Sequence, residues 1–288
     1  MTTTAARTPE RTPVPSASGG FGLGRSLRLG VRRVGFELRQ YFRSGDQVFF
    51  TFLFPTLMYL VFATIFTNDI GTGPDAISMS TYYLPGLIAG GLLLSGVQFP
   101  ATEIATEKSD GTLKRLGAAP ISPVTYFLGK AGVVLVTAVL QIGLLMLVAI
   151  VVFQVDLPTD PASWVTFAWV FVLGLATSTL LGIALSAVPR SGKSATAVVI
   201  PIVLLLQFVS GVYIAFTMLP EWLQNVAAVF PVKWMAQGMR AALLPDSFHT
   251  AEPGGEWALG SVALVLLVWL VVGVVISRLT FRWIHRDR

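Results

Sequence analysis

The stretch Pro189-Arg190-Ser191-Gly192-Lys193-Ser194 ends in GKS, the letters that close a phosphate-binding loop. Such a loop needs Gly-x-x-x-x-Gly-Lys-Ser/Thr between a strand and a helix, so that successive backbone N–H groups cradle phosphate oxygens. Five residues before Gly192 stands Ala187, the apolar run LLGIALSAVP leads in, and Pro189 enters the loop itself. Arg190 and Lys193 therefore read as charges on a short turn, and no ATP site is expected in this chain. Other reactive groups are sparse. There is no cysteine, which excludes thiolate chemistry and cysteine-bound metal, and the two histidines, His249 and His285, lie far apart. Glu103 and Glu107 are of a type suited to acid–base work but have no histidine or nucleophile near them in sequence. An enzyme is not the expectation.

The elements that carry these residues are set by hydropathy. Of 288 residues 54% are hydrophobic and only 12% charged, about half the charged share of a soluble domain. Mean hydropathy is +0.72. Six apolar segments, about 48–67, 82–102, 127–153, 164–187, 195–217 and 257–280, are long enough to cross a bilayer, which takes roughly 20 residues. None contains Asp, Glu or His between its ends, so a buried proton or ion relay is missing. Energy should then come from elsewhere, although backbone carbonyls can also bind sodium. Arginines and lysines place both termini in the cytoplasm: the N-terminal arginines, Lys108, Lys114, Arg115, Lys130, Arg190, Lys193, Arg278, Arg282, Arg286 and Arg288 share one side, against Lys233 and Arg240 on the other.

Residues 1–22, rich in Thr, Pro, Ser and Gly, read as a disordered cytoplasmic tail. Residues 23–46 read as an amphipathic interfacial helix on membrane lipids: Leu27, Val31, Val34, Leu38 and Tyr41 share one face, and arginines including Arg28, Arg32 and Arg39 fill much of the rest. The remainder, 47–288, is the transmembrane domain. Within it, 219–245 is apolar enough to imitate a seventh crossing. Lys233 would then sit near the bilayer centre at a cost of about 2.5–3.5 kcal/mol, and Pro231 would break the helix. Two short helices dipping into the outer leaflet fit better. Gly174, Ser178, Gly182 and Ser186 recur every four residues, a face for close helix packing within the bundle or for a dimer seam.

Between the second and third segments, Glu103, Glu107, Lys108, Asp110, Lys114 and Arg115 alternate with Ile104, Leu113 and Leu116. Asp110-Gly111 reads as a turn, and Pro120 and Pro123 end a second short helix. Periodicity alone leaves a docking helix and a solvated loop level. The run from Glu103 to Pro120 resembles the signature of type-2 ABC exporter permeases, the class of daunorubicin-resistance and polysaccharide exporters. The amphipathic helix, the six spans and an outer segment with Pro220, Glu221, Pro231 and Arg240 extend the resemblance over nearly the whole chain. Phe230-Pro231 departs from the Asn-Pro often found there.

That resemblance implies an all-α membrane fold with a coupling helix over about 103–118 and a re-entrant outer pair over about 219–245. Glu103, Glu107, Gly111, Thr112, Leu113, Lys114 and Arg115 would meet a separate ATP-binding subunit, two copies per transporter, which would hold the ATP and Mg. A second permease subunit, identical or paralogous, would complete the complex, and alternating access would move spans two and five at their interface. Gln98, Gln207, Ser210, Gly211 and Tyr213 are the candidate pathway residues. Polar groups in lipid serve helix–helix hydrogen bonds more often than substrate. The implied activity is ATP-driven export of a drug, lipid or lipid-linked glycan across the plasma membrane, with an ATP-independent transporter or channel as the alternative. Nucleic acid is not an expected partner.

Overall fold

Ser78 starts the helix around which the rest is arranged: its hydroxyl accepts from the Thr81 N–H and caps a 31-residue helix, Met79–Ser109. The computed structural model describes residues 23–70, 76–118, 123–189 and 191–280. In chain order these form α1 (Leu23–Tyr41), α2 (Gly45–Ile65), α3 (Met79–Ser109), α4 (Thr112–Ala118), α5 (Pro123–Phe153) and α6 (Pro161–Leu185). Then come α7 (Gly192–Val209), α8 (Glu221–Ala227), α9 (Pro231–Leu243) and α10 (Leu259–Thr280). Before α3 a short antiparallel pair, β1 (Asp69–Ile70) and β2 (Ile77–Ser78), sets Asp69 opposite Ser78. The tail 1–22, Arg190 and the basic C-terminal residues Arg282, Arg286 and Arg288 lie outside the described residues.

Among the described residues five helices are long and apolar enough to cross a membrane: α2, α3, α5, α6 and α10. The fifth expected segment, 195–217, is shorter than its hydropathy suggested. α7 stops at Val209, where Ser210 and Gly211, with φ +80°, turn the chain. A left-handed glycine is a common helix stop because it alone takes that φ without strain. With 18 residues α7 rises about 27 Å, just under the roughly 30 Å of a hydrocarbon layer. Its first turn is the GKS: Ser191 and Ser194 cap one another reciprocally, so these letters begin a helix by satisfying its own free N–H groups.

The interfacial helix also ends earlier than 46. α1 stops at Tyr41, and α2 begins at Gly45, its Phe49–Leu53 stretch π-helical. Likewise Glu103 and Glu107 belong to the end of α3 rather than to a separate coupling helix. No breaker lies between Glu103 and Asp110, and the Thr102 and Thr106 hydroxyls bond back to the helix carbonyls of Gln98 and Thr102 at 2.8 Å each.

α3 is enclosed by α2, α5, α6, α7 and α9, and every residue from Tyr83 to Thr102 is buried. The sequence reading set span two at a seam between protomers; within this chain its residues 83–102 are all covered by neighbouring helices. The close approach rests on small residues. A Cβ on Gly182 would fall 2.6 Å from the Val97 carbonyl oxygen, and one on Gly96 would fall 2.4 Å from the Ser178 Cβ. Gly174 meets Met235 of α9 in the same manner. The four-residue stripe thus joins α6 to α3 and α9 within one chain.

Candidate functional site

A lysine in an apolar helix needs counter-charges, and Lys130, about two turns into α5, has three within reach. Its Nζ lies 2.9 Å from Glu107 Oε1, 3.3 Å from Glu37 Oε2 and 3.8 Å from Glu103 Oε2. Arg33 completes the cluster, 2.6 Å from Glu37 and 3.9 Å from Glu107. The Tyr126 hydroxyl donates to Glu107, and Gln47 Nε2 donates to Glu103 at 3.3 Å. Arg33 also lies over the Tyr126 ring, 4.8 Å from its centre. Lys130 is 1% exposed and Glu37 4%. Three carboxylates thus face two cations, and the shared Lys130 holds together α1, α3 and α5. Buried charge survives only when paired and hydrogen-bonded in this way.

Helical phase explains how α1 takes part. Gly30, Glu37 and Tyr41 are buried, with Arg33 and Val34 beside them, and α1 packs on α5 where Gly129 meets Arg33 and Gly132 meets Val34. Val31, which the sequence placed on the apolar face of an interfacial helix, is 72% exposed, whereas Tyr41 of the same face is buried. The helix is turned by its charges as well as by its apolar stripe. Arg28, Arg32 and Arg39 all point outward. Burial against Phe52 and Phe99 pushes the Tyr41 phenol up to about 12.

Beyond Glu107 the chain leaves the bundle through one turn. Asp110 Oδ1 accepts from the Thr112 N–H at 2.8 Å, and Gly111 supplies φ +77°. The Thr112 N–H and hydroxyl hold the Asp110 carboxyl below the usual carboxylate range. α4 follows, seated by Leu113, which packs with Ile104, Tyr126 and Ile183. Its other side is open: Lys108, Asp110, Lys114 and Arg115 are exposed. The structure therefore splits the expected coupling residues. Lys114 and Arg115 face outward with Gly111 and Thr112 half-buried beside them, Leu113 faces inward, and Glu103 and Glu107 turn into the charge cluster.

The opposite end of the bundle holds a second cluster. α8 and α9 break at Pro231, as expected, and neither is long enough to span. Pro220 and Glu221 are exposed at the start of α8, whereas Arg240 is buried and bonds both oxygens of buried Glu252. Arg240 Nη1 also donates to the Gly211 carbonyl at 3.0 Å, closing off the turn that ends α7. Lys233 donates to Gln237, which donates to the Trp257 carbonyl at 2.9 Å. Lys233, on which the sequence argument against a seventh span relied, is thus buried with a neutral hydrogen-bond partner, and Arg240 is buried in an ion pair.

Of the expected pathway residues, Gln207 Nε2 donates to the Gly90 carbonyl at 3.1 Å, and the Tyr213 hydroxyl donates to Gln207 at 2.6 Å. These tie α7 to α3. Gln98 Oε1 and Ser210 Oγ are buried without a hydrogen-bond partner among the described residues.

Lys130, Glu37, Arg33, Tyr126 and Gln47 were missed as site residues. One signal was in reach: Lys130 and Arg278 are the only charged residues within the six expected segments.

A family model described as ABC-2 type transporter matches residues 34–244, from within α1 past the end of α9. Over 218 residues the chain is 23% identical to the inner membrane transport permease YadH of Escherichia coli (strain K12), covering 75% of this chain and 83% of that one. The proteins of the same name from Escherichia coli O157:H7 and Shigella flexneri match to the same extent.

Proposed function

This chain belongs to the ABC-2 type transporter family, and we propose that it is the permease subunit of an ATP-driven exporter in the inner membrane. One observation carries the reading: α4 presents Lys114 and Arg115 outward and is hung on a buried cluster shared by α1, α3 and α5. A push on α4 or α1 from a separate ATP-binding subunit would travel through Glu107, Glu103 and Lys130 into α3, the enclosed helix of the bundle. Gly111, Thr112, Lys114 and Arg115 make the partner contact in this scheme. Glu103 and Glu107 pass the movement on instead of touching the partner. ATP and Mg belong to that partner, two copies of it against two permease subunits.

In the membrane α7 makes the remaining crossing, so that six spans put both termini on the side of α4. α8 and α9 return within the opposite leaflet. The apolar bundle suits a hydrophobic or amphipathic cargo, with Gln98 and Ser210 among the buried groups left open to it.

The test is co-purification from native membranes followed by transport in proteoliposomes. Lys114→Glu combined with Arg115→Glu should leave the permease folded, lower recovery of the ATP-binding subunit and abolish ATP-dependent flux. Flux from this chain alone, without ATP, would overturn the proposal in favour of an ATP-independent transporter.

A further inference from the structure

Lys130 is consumed by its cluster, which leaves Arg278 as the other charge within an expected span. It lies in the last turn of α10, is exposed, and has no ion pair among the described residues. Beside it opens a groove of about 920 Å³ between α5, α6 and α10. Phe127, Leu135, Val172 and Ile183 are among its walls, and among the described residues Arg278 is the one charged residue that lines it. The hydroxyl protons on its walls are already used: Thr179 donates to the Leu175 carbonyl at 2.7 Å and Ser277 to the Leu180 carbonyl at 3.2 Å. From Phe171 to Ile183 the groove follows α6 for about 18 Å. That is close to half of a hydrocarbon layer about 30 Å thick.

We propose that this groove binds one phospholipid, an acyl chain lying along α6 and the phosphate paired with Arg278. The fit is one of shape and charge together. The described walls can solvate only hydrocarbon, and Arg278 sits in the last turn of α10, where a headgroup would lie. Arg presents a planar fork that matches phosphate oxygens. Leu135 and Val172 are 47% and 61% exposed, so the groove opens sideways toward lipid. The site does not depend on which compound is exported, and it is read without ATP or the ATP-binding subunit, so its failure is separate from failure of the transport proposal.

The full chain is purified, exchanged into micelles containing phosphatidylglycerol or diacylglycerol, and examined by native mass spectrometry. Wild type should retain one phosphatidylglycerol and much less diacylglycerol. Arg278→Gln should reduce retention about tenfold, the scale of one charge-assisted hydrogen bond. Thr179→Trp, which fills the groove, should displace the lipid, while Lys193→Gln, an exposed cation in the first turn of α7, should change nothing. Equal retention by wild type and Arg278→Gln, or equal loss with Lys193→Gln, overturns the proposal even if the tryptophan variant fails to fold. Because the protein has no cysteine, Val172→Cys gives a further check. A disulfide between two such copies in membranes would show a second subunit covering the groove, and would also overturn it.

Discussion

Lys130 shows how much one side chain can decide. Removing a single partner from a buried ion pair leaves the others uncompensated, at a typical cost of about 3–5 kcal/mol. In Lys130→Ala, Glu37, Glu103 and Glu107 would face one another with only Arg33 between them. We expect a loss of that size, read as a lower melting temperature in detergent and reduced accumulation in membranes. Pairing Lys130→Met with Glu107→Gln removes charge of both signs and should recover part of the loss. A Lys130→Ala protein that melts like wild type would show that the cluster does not hold α1 in place. Arg240 is the counterpart at the other end, where Glu252 and the Gly211 carbonyl engage each of its three side-chain nitrogens.

Among the elements, α4 is the most delicate. With 7 residues it is too short to persist alone, and it depends on the Asp110–Gly111 turn and on Leu113. Asp110→Ala removes the oxygen that accepts from Thr112, which typically costs about 1 kcal/mol at a helix start. Amide exchange over 112–118 should accelerate in that variant while α3 and α5 keep their protection. The same carboxyl sets a pH limit. Its folded pKa lies below the ordinary value of about 3.9, so its contribution is complete above that value and fades as pH falls through the lower, folded one. Exchange in α4 should therefore be insensitive to Asp110 between neutral pH and the upper end of that window, rising only in stronger acid. A rise already near neutrality would contradict the assigned turn.

At the scale of the molecule, the enclosure of α3 and the opposed positions of the two charge clusters make a topological prediction. With no native cysteine, single cysteines report cleanly. In intact cells an impermeant maleimide should label Thr250→Cys, beyond α9, and leave Lys114→Cys, on α4, unlabelled until the membrane is opened. The reverse pattern would invert the proposed orientation. A lipid-soluble maleimide should react with Leu205→Cys on α7, 64% exposed, and leave Ser95→Cys on α3, 2% exposed, untouched. Rapid labelling of Ser95→Cys would mean that α3 does face a seam or a pathway in the membrane.

Amphipathic and apolar periodicity, breakers and caps are local properties, so the sequence by itself determined that the chain is a helical membrane protein. The breaks at Gly111 and Pro231 were legible for the same reason, as was the type-2 permease resemblance that the family match now shows. Which charges meet was not legible. Glu37, Glu103 and Lys130 lie on three helices, far apart in the chain, and their phase about each axis decides whether a carboxylate faces a partner protein or a buried lysine. Only the tertiary structure brings them together, because a charge cannot be buried singly and the packing of α1 and α3 on α5 is what supplies the others. The length of α7 was decided in the same way: hydropathy continues past Val209, but Gly211 turns and Arg240 of α9 takes its carbonyl.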